Sequence, residues 1–111
     1  MALKRLKFTQ DLSAAALDYQ TPDTKVFDLR SVQFTVDGPI NETVKITIAD
    51  EDDSDYDVVI YEQALTALEN FVWVPEVGGQ RIPIAESQQV KIEVTNAGAA
   101  QSVFGSILID I

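Results

Sequence analysis

The chain has 111 residues, with 8 basic side chains against 18 acidic ones, a formal net charge of −10, and neither cysteine nor histidine. These zeros exclude disulfides, thiolate zinc or iron–sulfur sites, thiol nucleophiles, Ser-His-Asp triads and histidine-bound transition metals. At 12.2 kDa the chain suits one domain, and mass scaling leaves roughly 6,000 Å² of folded surface out of about 17,700 Å² unfolded, enough burial for a core without staples.

The dominant period along the chain is two, the signature of half-buried strands. Leu3 to Thr9 is a first strand-like run, carrying Lys4, Arg5 and Lys7. Residues 10–24 read mainly as an extended connection ending at Thr21-Pro22-Asp23, with one helical turn capped by Asp11 as the alternative. The organisation expected is an N-terminal arm and connection over 1–24 and a β-sandwich over 25–111, within one compact domain. Lys25 to Arg30 and Val32 to Val36 are the next strand segments, broken at Asp37-Gly38-Pro39. Val44 to Ile48 alternates cleanly, then an acidic turn leads to the β-branched run Asp57 to Tyr61.

Tyr61 to Glu69 is rich in helix formers (Glu62, Ala64, Leu65, Ala67, Leu68) and reads as a long hairpin connection, with the strand reaching about Gln63 and a helical turn as the alternative. Phe71 to Val74 is a short strand stopped by Pro75, and Gly78-Gly79 is a turn without phosphate-loop context. Val90 to Val94 and Val103 to Ile111 close the set, with turns at Glu86-Ser87-Gln88 and Asn96-Ala97-Gly98. Seven or eight short strands without a convincing amphipathic helix predict an all-β fold: an antiparallel two-sheet sandwich, jelly-roll-like, with an immunoglobulin-like Greek key second.

Chemistry-bearing clusters are few. Asp50 to Asp57 holds six carboxylates in eight residues, which could wrap Ca²⁺ but more simply form a solvated loop. The register is not that of an EF-hand, since Asp55 and Tyr61 stand where glycine and glutamate are needed. No carboxylate pair identifies a glycosidase, so no catalytic residue, cofactor or metal is assigned and no enzymatic activity is expected. Trp73 between Val72 and Val74 is either a core residue or a sugar-stacking platform. The acidic balance argues against nucleic acid, and no apolar stretch has the length of a membrane span or signal peptide, so a cytoplasmic product is expected. The basic cluster Lys4, Arg5 and Lys7 on an otherwise acidic chain is the candidate partner-binding feature, suited to neighbour-to-neighbour contact in which one copy's arm meets another's body.

The run Ile40 to Ile48, the acidic turn, Tyr56 to Ile60, Phe71 to Pro75, Ile84 to Asn96 and a closing strand together resemble the small jelly-roll virion proteins of tailed bacteriophages. Those are capsid decoration proteins and related head or tail accessories. Where many such chains have a Gly-Asp turn before the Val-Lys-Ile-like strand, this one has Ser87-Gln88-Gln89. The resemblance implies a structural protein located in the virion and assembled in the host cytoplasm. Its partners would be the major capsid protein or other virion subunits, in a homo-oligomer or lattice. The alternatives are a tail or neck adaptor and a carbohydrate-binding module.

Overall fold

A computed structural model describes residues 2–22, 26–75 and 81–111. The fold is all-β and antiparallel. Its strands are β1 (Leu3–Asp11), β2 (Leu17–Gln20), β3 (Phe27–Asp50), β4 (Val58–Trp73), β5 (Ile82–Ile84), β6 (Gln88–Val94) and β7 (Ser102–Asp110), with a 3₁₀ turn at Ser54–Tyr56. The order is β1-β7-β3-β6-β2, and β4 and β5 also pair with β3. The accessible surface of 6274 Å² is close to what mass scaling expects for one compact unit.

The long β3–β4 ribbon makes the sandwich. The early part of β3 pairs with β7 from Asp28 to Val36, and its later part pairs with β6 from Val44 to Asp50. Between these stretches the β3–β4 register shifts, with Thr35 opposite Asn70 and Ile40 opposite Leu68. Asp37-Gly38-Pro39 lies in this irregularity. It bends β3 rather than ending it, as bulges do. Tyr61 and Trp73 sit twelve positions apart on β4, a span of about 40 Å if the strand were straight. Their ring centroids are only 5.9 Å apart, so β4 folds back across the core. The ends of the sheet also meet: Phe8 of β1 stacks on Tyr19 of β2 at 5.2 Å. The two halves of the sandwich are therefore one sheet curled onto itself around a single core.

Alternation builds that core. Leu6, Phe8 and Gln10 face inward on β1, opposite Ile107, Gly105 and Val103 of β7. The row Phe8–Gly105–Phe34–Phe71 crosses four strands in register. Gly105 is required there: a Cβ would stand 2.4 Å from the Phe8 ring and 2.7 Å from the Gln33 carbonyl oxygen. Phe8 thus lies over the glycine, and Phe34 stacks on Phe71 at 5.0 Å.

Three readings of the sequence are corrected. Residues 10–24 are not mainly a connection, because β1 runs to Asp11 and Leu17–Gln20 pairs with Lys91 to Val94 of β6. Between them lies a tight turn in which the Asp11 carbonyl accepts from the Ala14 and Ala15 N–H groups, while its carboxylate accepts from Ser13. Those bonds from the Ser13 hydroxyl and N–H hold the Asp11 carboxyl below its ordinary pKa. The strand reaches Gln63 as expected, but the residues after it to Glu69 are not a hairpin connection and continue β4. Its helix formers are overridden by pairing with β3 and by burial of Leu65, which is 2% exposed. The Asp37-Gly38-Pro39 break is a bend within a 24-residue strand. By contrast the acidic turn, the turn before Gln88, the bend near Gly98 and the end of β4 ahead of Pro75 fall where the sequence puts them. Asp23 to Lys25 and Gly78-Gly79 lie outside the described residues.

Candidate basic groove

On the outer face of the first half of the sheet, residues from four strands form an open groove of about 720 Å³. Register explains its lining. One row crosses the strands as Lys7, Ser106, Gln33 and Val72; the next runs Thr9, Phe104, Thr35 and Asn70. Arg5 stands one row beyond, donating from Nη1 to Ser106 Oγ at 3.2 Å. Thr35 Oγ1 donates to Asn70 Oδ1 at 2.6 Å, and Thr9 Oγ1 to the Val103 carbonyl at 2.9 Å. Phe104 is 51% exposed and Val72 68%, so the floor is apolar and the rim is polar and cationic.

The electrostatics single out one strand. Arg30 pairs with Asp110, Lys45 with Glu93, Arg81 with Asp28 and Lys91 with Asp18. Among the described residues, Lys4, Arg5 and Lys7 are the cations with no carboxylate inside 4 Å. The structure brings Arg5 and Lys7 together on the groove, whereas Lys4 alternates to the other face of β1, at the chain's edge. Sequence reasoning missed Phe104, Val72, Gln33, Thr35 and Asn70. No local pattern marks them, since they meet Arg5 and Lys7 only through cross-strand register.

The acidic turn is tightly organised. Asp50 Oδ1 accepts from the Asp52 and Asp53 N–H groups, Asp53 Oδ1 caps the 3₁₀ turn through Asp55 N–H, and Asp57 Oδ1 accepts from Asp50 N–H. These carboxylates serve their own backbone, as Asx residues do in turns. Among the described residues no group of three acidic side chains is placed to hold a metal ion. Tyr56, at the tip, is 70% exposed, and Val58 and Val59 beside it are 57% and 50% exposed.

Glu42 is a further carboxylate with a structural post. It is buried just past the β3 bend and accepts four hydrogen bonds: Thr95 Oγ1 and Ala97 N–H on Oε1, and Gly98 and Ala99 N–H on Oε2, at 2.7–3.0 Å. Burial pushes its pKa up, but the Thr95 hydroxyl and the three backbone donors outweigh this and hold it below the ordinary value. Glu42 thereby fixes the crossover from β6 to β7.

Trp73 faces inward, half-buried against Tyr61, which leaves Val72 and Val74 outside. It also borders a second hollow of about 580 Å³ with Tyr61, Ile60 and Pro75. No protein-family model matches the chain, and no curated protein is significantly similar to it.

Proposed function

We propose that this chain is a non-enzymatic structural component of a phage virion, a capsid decoration protein that joins the shell lattice in many copies. The resemblance of its strand and turn order to small jelly-roll virion proteins motivates this reading, and fold alone does not fix it. The observation that carries it is the groove face: Arg5 and Lys7, with no carboxylate within 4 Å among the described residues, flank an exposed apolar floor, whereas Arg30, Lys45, Arg81 and Lys91 are paired. Such a surface suits attachment to another protein better than turnover of a small substrate. Its partners would be the major capsid protein or other virion subunits, copies of this chain among them.

Purified protein added to particles stripped of it should bind saturably, and the double variant Arg5→Glu/Lys7→Glu should lose most of that binding while keeping its far-UV spectrum. Undiminished binding by that variant would refute the groove as the assembly surface. A tail or neck adaptor shares this chemistry at much lower copy number. The hollow beside Tyr61 and Trp73 favours glycan binding as a second reading, which a glycan array with Trp73→Ala as control addresses.

A further inference from the structure

We propose that the groove takes the acidic turn of a second copy of this chain. Tyr56 would lie on the apolar floor at Phe104 and Val72, with Asp52 and Asp55 opposite Arg5 and Lys7. This rests on the reading of the protein as an assembly subunit and names the contact through which copies join.

Three observations support it. First, the charges are complementary: Arg5 and Lys7 have no carboxylate of their own within 4 Å among the described residues, in contrast to Arg30, Lys45, Arg81 and Lys91. On the turn, the carboxylates of Asp50, Asp53 and Asp57 hold the local backbone. Those of Asp52 and Asp55 take no part in that framework and are exposed. Second, apolar surface accompanies charge on both sides. Tyr56, Val58 and Val59 are at least half exposed at the turn, as are Phe104 and Val72 at the groove. An exposed tyrosine is the kind of side chain that anchors protein contacts. Third, the two features belong to different halves of the sheet. The turn joins the late part of β3 to the early part of β4, while the groove is lined by β1, β7, early β3 and late β4. A copy does not fill its own groove.

The contact is heterologous, so each joined copy still presents one free turn and one free groove. Such contacts grow into rings if the rotation closes and into extended arrays if it does not. A net charge of −10 repels neighbours at long range. At physiological salt the Debye length is about 8 Å, so the charges at the contact dominate.

The test is sedimentation velocity of the full chain at physiological salt over a wide concentration range. The variants are Arg5→Glu/Lys7→Glu in the groove and Asp52→Lys/Asp55→Lys on the turn, with thermal melts to verify folding. The wild type should show a sedimentation coefficient that rises with concentration. Each charge-reversed variant alone should associate at least about tenfold more weakly. An equimolar mixture of the two should recover association, because basic grooves then meet acidic turns and acidic grooves meet basic turns. Tyr56→Ser should weaken association without altering the charge. A wild type that stays monomeric, or association that survives both reversals, overturns the proposal. If the protein is monomeric alone yet loads onto particles in many copies, the copy-to-copy contact falls and the assembly reading stands.

Discussion

Replacing Glu42 by Gln tests whether the buried carboxylate holds the β6–β7 crossover. The wild-type carboxylate accepts four hydrogen bonds. Gln can turn its NH₂ toward Thr95, whose hydroxyl then accepts, so one bond is lost outright, that from the Ala97 N–H. The others lose their charge assistance, which is worth about 1 kcal/mol per bond in a dry site. Residues 95–98 are exposed, so water replaces part of the loss. The net destabilisation is about 2 kcal/mol, or a fall of about 8 °C in Tm for a domain of this size. Urea titration at neutral pH followed by tryptophan fluorescence and circular dichroism measures it.

The pH dependence carries a sign. Folding lowers the Glu42 pKa from 4.5, so between the folded and unfolded values the unfolded chain binds more protons. The contribution of Glu42 is therefore full above pH 4.5 and is lost as pH falls through the folded value. The gap between wild type and Glu42→Gln should narrow over that acid range. A variant within about 0.5 kcal/mol of wild type at pH 7, or a gap independent of pH, would refute the reasoning.

Other substitutions probe the fold. Gly105→Ala should cost about 3 kcal/mol in urea denaturation, because the new Cβ meets both the Phe8 ring and the Gln33 carbonyl oxygen. Leu65→Ala should cost about 3 kcal/mol as a buried truncation, whereas a solvated hairpin connection would tolerate it. Ala67 has φ 52, in the left-handed region, so Ala67→Gly should stabilise by about 0.5 kcal/mol, against the usual sign for glycine in a strand. With Asp50, Asp53 and Asp57 committed to the turn, a chelator should leave the melting curve unchanged.

Legibility of this chain in its sequence followed one physical rule. Where one face packs and the other meets water, as in Val44 to Ile48 and Val90 to Val94, alternation was enough to place the strand. It failed where tertiary pairing overrides local preference. Glu62 to Thr66 carries helix formers, yet it is held extended by pairing with β3 and by Leu65 in the core. Leu17–Gln20 is too short to show a period, and only its partner β6 makes it a strand. Asp37-Gly38-Pro39 has the composition of a chain break, but β3 continues through it because the strand exchanges β7 for β6 there. For the groove, Arg5 and Lys7 stood out by charge alone. Phe104 and Val72 join them across about a hundred residues of chain or through β3, and no spacing rule reaches that far.

The most direct measurement for the assembly reading is the copy number of this protein in gradient-purified particles from its source, by quantitative mass spectrometry against the major shell protein. A ratio corresponding to hundreds of copies per particle is the expected result. Absence from the particles would contradict the account.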